Sequence, residues 1–236
     1  MKAFILAGGM GTRLASVIND RPKVMAPITG EKTFLEYLFD LLKKNNIDEI
    51  VLGVGYLSKY VQSYFGDGAK FGVKIEYSDE DYPLGTAGAI RNAQDKLGDT
   101  FLVLNGDTYL DFDIAGMIDF HKKQKAEITM AVTQRPHHWG GLIEMKGDDI
   151  INFESNPLED DASKVNPLTS VGFYVFEKSV VSDINLHKMS LEKQLFPLLI
   201  DTGHKIVGFH IEKGDFVEVG TAEGYFAAKG ILGSNK

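Results

Sequence analysis

Three runs of this chain, Phe4-Ile5-Leu6, Ile50-Val51-Leu52 and Phe101-Leu102-Val103-Leu104, are apolar at every position rather than at every second one. A strand with one face in water alternates, whereas a strand buried on both faces does not, and a parallel sheet covered by helices buries both. Strand-like runs at residues 2–7, 49–54, 73–77, 100–104 and 127–133 alternate with helix-like segments at 34–45, 59–65, 86–95 and 114–123, which is a repeated βα pattern. Past Gln134 short strand-like pieces at 142–145, 150–153, 169–176, 206–210 and 216–219 are separated by turn-rich stretches, with helices only at 191–200 and 222–231. The expected fold class is α/β, a mostly parallel central sheet with added antiparallel strands in the C-terminal half. A length of 236 residues with 44% hydrophobic content suits one domain, 1–236, made of a half 1–134 and a half 135–236.

In open α/β sheets ligands sit outside the carboxyl ends of the strands, so the loops beginning at Ala7, Gly53, Ser78 and Asn105 are where chemistry is expected. The first is Gly8-Gly9-Met10-Gly11-Thr12-Arg13-Leu14, followed by Arg21-Pro22-Lys23. Its glycines allow a ligand to approach the backbone closely, and Arg13 and Lys23 add positive charge, so an anion fits. Two familiar glycine motifs fail here. A G-x-G-x-x-G turn would need glycine where Leu14 stands, and a P-loop would need G-K-[ST] where Gly11-Thr12-Arg13 stands. A tight strand-to-loop turn with no ligand is the plain alternative.

Asn105-Gly106-Asp107 places a carboxylate just past a buried strand. Asp107 is the candidate Mg²⁺ ligand, since Mg²⁺ takes one or two carboxylates and completes its octahedron with phosphate oxygens and water. A solvated Asn-Gly-Asp turn is the alternative. The stretch from Tyr82 to Ile90 reads as a loop entering a helix, where small residues expose backbone groups to a planar ligand. Alternatively, Thr86 simply caps that helix. Glu80 is either a base-contacting carboxylate or one of a solvated acidic trio.

The net charge of −8 argues against nucleic-acid or anionic-membrane surfaces, which need clustered Lys and Arg. No cysteine is present, which excludes a disulfide framework and a thiol nucleophile and fits a reducing compartment. No run approaches the roughly 18 apolar residues of a membrane span. The expectation is a cytoplasmic protein with small-molecule partners, and a homo-oligomer is left open. Glu159-Asp160-Asp161 reads as a solvated run in a surface loop, and His137-His138 as a poor metal site because adjacent side chains diverge on extended backbone.

Three separated strings occur here in the order of one family: the glycine loop with Pro22-Lys23, Pro83-Leu84-Gly85-Thr86-Ala87-Gly88, and Asn105-Gly106-Asp107. With Phe216-Val217-Glu218-Val219-Gly220-Thr221-Ala222-Glu223, which is similar to a W-x-D-x-G-T-P-E segment, the chain resembles the sugar-1-phosphate nucleotidyltransferases from Met1 to about Gly230. The resemblance implies a Rossmann-like nucleotide-diphospho-sugar transferase fold, with a nucleotide-binding and a sugar-phosphate-binding half, acting on a nucleoside triphosphate and a sugar 1-phosphate with Mg²⁺. It implies that Gly8, Gly9, Gly11, Thr12 and Arg13 hold the triphosphate and that Lys23 neutralises charge at the α-phosphate. Leu6, Ala7, Gly85 and Thr86 would frame the base, beside Glu80, Asn105 and Gly106. Asp107 and Glu218 would hold Mg²⁺, with Arg13, Lys23 and Asp107 carrying catalysis, and Gly140, Glu154 and Gly172 would face the sugar. Chain length, Met25-Ala26-Pro27-Ile28, Phe34-Leu35-Glu36-Tyr37 and the Leu-Gly-Thr form of the base loop most resemble the D-glycero-α-D-manno-heptose 1-phosphate guanylyltransferases.

Three departures fall on the acceptor side. Glu218 replaces the family's aspartate, Ser155-Asn156 replaces the E-K of F-x-E-K-P so that its lysine is absent, and Ser170 replaces the asparagine of N-x-G. The acceptor phosphate would then draw its cation from Arg135, Lys164 or Lys193. The competing readings are a thymidylyl- or uridylyltransferase acting on glucose 1-phosphate, and a non-catalytic nucleotide-sugar-binding regulator.

Overall fold

The computed structural model describes residues 1–134, 141–154, 168–185, 187–212, 214 and 216–234. The first half contributes β1 (Lys2–Leu6), β2 (Pro27–Thr29), β3 (Lys32–Thr33), α1 (Phe34–Lys44), β4 (Glu49–Val54), α2 (Ser58–Phe65), β5 (Lys74–Asp79), α3 (Gly85–Asn92), β6 (Thr100–Asn105), β7 (Thr108–Leu110), α4 (Ile114–Gln124) and β8 (Ile128–Gln134). The second half contributes β9 (Leu142–Lys146), β10 (Asp149–Glu154), β11 (Leu168–Glu177), α5 (Phe196–Asp201), β12 (Ile206–His210), β13 (Phe216–Glu218) and α6 (Ala222–Ser234).

One nine-stranded sheet runs in the order β5-β4-β1-β6-β11-β8-β12-β10-β9. The four strands β5, β4, β1 and β6 are parallel. The antiparallel strand β11 joins them to β8, which pairs in parallel with β12, and β10 and β9 close the far edge antiparallel. The expected α/β class with antiparallel additions is what forms. One detail differs: β8 is separated from the parallel block by β11.

The unbroken apolar runs find their reason here. Ala3, Ile5, Ile50 and Leu52 pack on one face with side chains of α1, α2, α4 and α6. Phe4, Val51, Phe101 and Val103 pack on the other with α3 and α5. Successive strand side chains point to opposite faces, so burying both faces requires apolar residues throughout. Each buried Ile, Leu, Val or Phe among them contributes about 1.5–3 kcal/mol of transfer free energy. Among the described residues no helix is long and apolar enough to cross a membrane.

Two irregularities shape the site. The string after Asp107 continues as β7, which pairs antiparallel with β13 and sets Glu218 opposite Thr108. The segment expected as one helix over 191–200 begins instead as a π-helical turn, Leu191–Leu195, before α5. Pro197 has no N–H to donate to the carbonyl four residues earlier, and proline is tolerated only in a helix's first turn.

Candidate active site

The glycine loop leaves the sheet between the ends of β4 and β6: Ala7 N donates to Gly53 O at 2.8 Å, and Gly106 N donates to Leu6 O at 3.0 Å. Gly11 lies in the left-handed region at φ 62° and opens a single 3₁₀ turn, Thr12–Leu14, anchored by the buried Leu14. A Cβ at Gly8 would stand 2.8 Å from Glu80 Oε1, and one at Gly11 would stand 3.0 Å from Lys23 Cβ. The missing side chains therefore let a carboxylate and an ammonium stem lie against the loop backbone.

The base loop is held differently from the sequence expectation. Ala87 N and Gly88 N both donate to Met189 O, at 3.0 and 3.3 Å, and Met189 N donates to Leu84 O, so those amides are not open to a ligand. Thr86 does not cap α3. Its hydroxyl accepts from Leu191 N at 2.7 Å and donates to Glu192 Oε2 at 3.2 Å. Gly85 has φ +74°, and a Cβ there would come within 2.5 Å of Met189 O; glycine is required by both conformation and space. Glu80 Oε2 accepts from Leu84 N at 2.9 Å. Burial pushes the Glu80 carboxyl above the usual range, against that hydrogen bond.

Between these loops lies a cavity of about 360 Å³. Leu6, Gly8, Gly9, Lys23, Glu80, Gly85, Thr86, Asn105 and Asp107 line it, as do Met10, Pro83, Ala89, Lys188 and Glu192. A second cavity, about 200 Å³, adjoins it through Asn105, Asp107 and Glu192 and is lined further by Arg13, Gly141, Ser170, Gly172, Tyr174 and Glu218. Of the other residues expected around the nucleotide, Ala7 is buried with its N–H engaged, and Gly106 packs under Leu6 O. Gly11 and Thr12 line neither cavity.

Asp107 sits where the two cavities meet. Lys23 Nζ donates to Asp107 Oδ2, with both side chains mostly buried. Val219 N donates to Asp107 O at 2.8 Å, which ties β13 to the turn and brings the second carboxylate alongside. Arg13, whose side chain is 67% exposed, reaches Glu218 at 3.6 Å. Burial and, next, the Asp107 charge push the Glu218 carboxyl above its usual range, and Arg13 and Lys23 oppose them. A carboxylate whose ionisation is made costlier by a second carboxylate beside it forms with that neighbour a hard-oxygen pair suited to a divalent cation.

On the acceptor side, Gly172 at φ +75° packs against Asn105, whose buried Oδ1 has no hydrogen-bond partner among the described residues. Ser170, standing in for an asparagine, turns inward: it accepts from Gly172 N at 3.2 Å and donates to Tyr174 at 3.0 Å. Glu154 ends β10 exposed and lines neither cavity, although its carbonyl adjoins Gly141. Lys193 is exposed and lines neither cavity. Gly140, Arg135, Lys164, His137-His138 and Glu159-Asp160-Asp161 lie outside the described residues. Lys188, Tyr174 and Glu192 line the cavities without having been expected. Glu192 reads in sequence as an acidic residue in a helix's first turn, a common dipole-matching choice.

The family model for nucleotidyl transferases matches residues 2–234. D-glycero-α-D-manno-heptose 1-phosphate guanylyltransferase of Campylobacter jejuni is 35% identical over 96% of this chain and 97% of its own length. Mannose-1-phosphate guanylyltransferase of Mycobacterium tuberculosis is 33% identical over 94% of this chain, which spans 62% of that longer relative. HddC from Yersinia pseudotuberculosis, at 26% identity, superposes with a TM-score of 0.83, covering 98% of this chain and 99% of that one. The same protein has been solved complexed with GMP-PN, with a TM-score of 0.81. A family match across both cavities and near-complete coverage of the Campylobacter relative establish that the chain belongs to the nucleotidyl transferase family, among the sugar-1-phosphate nucleotidyltransferases.

Proposed function

We propose that this protein joins GTP to D-glycero-α-D-manno-heptose 1-phosphate, giving the NDP-sugar and pyrophosphate, in the cytoplasm and with Mg²⁺ held by Asp107 and Glu218. The observation that carries the reading is the position of Asp107 on the shared wall of two cavities, facing Lys23 in one and Glu218 and Arg13 in the other. A nucleoside triphosphate in the larger cavity and a sugar 1-phosphate in the smaller would meet there. The phosphate monoester oxygen attacks the α-phosphorus and pyrophosphate leaves. That nucleophile needs no activating Ser-His or Cys-His pair. Mg²⁺, when bound, would supply Lewis-acid charge stabilisation and a template for the phosphates. Lys23 and Arg13 stabilise charge on the phosphates, and the loops align the groups.

Guanine is favoured by Glu80. A carboxylate in the base cavity matches the adjacent N1–H and N2–H donors of guanine, whereas uracil and thymine offer one N–H flanked by carbonyls that a carboxylate repels. The heptose acceptor is supported by likeness to the Campylobacter relative over nearly its whole length.

Pyrophosphate release over a grid of GTP, dTTP, UTP, CTP and ATP against heptose, mannose, glucose and N-acetylglucosamine 1-phosphates tests the pair. The largest rate is expected for GTP with the heptose, with mannose 1-phosphate second. A best rate with UTP or dTTP and glucose 1-phosphate would replace both substrates, and tight nucleotide binding without release in any cell would make the protein a regulator. For the metal, Glu218→Gln is expected to raise the Mg²⁺ concentration for half-maximal rate several-fold. A titration that overlays the wild type would remove Glu218 from the ligand set.

A further inference from the structure

We propose that Glu192 is a substrate-binding carboxylate that accepts hydrogen bonds from hydroxyl groups of the acceptor sugar. The proposal rests on the nucleotidyl-transfer reading of the site. Glu192 lies half-buried on the π-helical turn Leu191–Leu195 and lines both cavities. Its Oε2 accepts from Ser190 Oγ at 2.9 Å and from Thr86 Oγ1 at 3.2 Å, which fixes the carboxylate in one orientation. Its Oε1 has no partner among the described residues.

The identity of the missing partner follows from charge. No Lys, Arg or His among the described residues forms an ion pair with Glu192. Near Asp107 and Glu218 a third carboxylate would repel phosphate, and the cations lining the two cavities are Lys23, Arg13 and Lys188. What remains is a neutral donor, and hydroxyl-to-carboxylate bonds are among the stronger ones because the acceptor is charged. Thr86 and Ser190 hold Oε2 on the base-loop side. The charge of Glu192 also acts on the buried Tyr174 hydroxyl of β11, making its ionisation harder alongside the larger effect of burial, and Tyr174 walls the second cavity. The free oxygen is therefore assigned to the sugar rather than to the nucleotide. The π-helical turn Leu191–Leu195 is what sets this carboxylate at the junction, and such turns recur at functional sites.

The test compares wild type with Glu192→Gln, which keeps size and an acceptor for Thr86, and with Thr86→Val, which removes one of the two tethers on Oε2 together with the acceptor for Leu191 N. Steady-state pyrophosphate release is measured with GTP and the heptose phosphate, and with acceptors lacking single hydroxyls. Glu192→Gln is expected to raise the acceptor KM about 10-fold or more, as for a lost bond to a charged group, with the GTP KM within about 2-fold. One deoxy acceptor should lose as much with wild type as the variant loses with the full sugar, and lose nothing further with the variant. A purely structural role predicts that Glu192→Gln and Thr86→Val shift both KM values alike, and that outcome overturns the proposal. An unchanged acceptor KM beside normal wild-type turnover overturns it while leaving the transfer reading intact. Absence of wild-type turnover with every acceptor overturns both.

Discussion

Asp107→Asn is expected to leave the fold intact and to reduce turnover by about 10³-fold, because an amide keeps the side chain's shape but removes the charge that both Lys23 and the proposed Mg²⁺ require. Loss of one preorganised electrostatic group costs roughly 10²–10³ in rate, and Asp107 serves two partners. The turn around it does not depend on the carboxylate: Gly106 N and Asp107 O are held by Leu6 O and Val219 N. Thermal unfolding near that of wild type together with the lost rate is the expected pair of results. Near-wild-type pyrophosphate release would remove Asp107 from the chemistry.

Lys23→Ala is expected to cost about 10²-fold or more in turnover, with a smaller change in nucleotide KM, since charge at the α-phosphorus grows toward the transition state. The structure adds a second consequence. Lys23 is the ion-pair partner of Asp107, and together with Arg13 it favours the ionised form of Glu218 against burial and the Asp107 charge. Removing it leaves two mostly buried carboxylates less compensated and Asp107 without its competing cation, so the variant should reach half-maximal rate at a lower Mg²⁺ concentration than wild type. Turnover and Mg²⁺ dependence both within 2-fold of wild type would contradict the role.

Much of this architecture was legible because its causes are local. The strands of the parallel block announced themselves by unbroken apolar runs, and the glycine loop by small residues at a strand end. What the sequence could not reveal depends on long-range pairing. β7 is three residues long, too short to show a period, and nothing local says that the strand-like piece at 216–219 pairs with it, yet their register is what sets Glu218 beside Asp107. The base loop read as exposed backbone because nothing local says that Met189, a hundred residues away, occupies its amides. Glu192 was overlooked for the same reason: its significance comes from Thr86 on a distant helix and from a π turn that no local signal announces.

The central claim is a direct transfer of the nucleotidyl group between two small molecules at the Asp107 junction. A single-turnover experiment with GTP labelled at the α-phosphate, sampled by rapid quench in Mg²⁺, tests it most directly. The expected course is one-to-one appearance of labelled NDP-sugar and free pyrophosphate, dependent on sugar 1-phosphate, with no label on the protein at any time. Label on the protein before acceptor is added, or bound GTP that stays intact when acceptor and Mg²⁺ are both present, would contradict it.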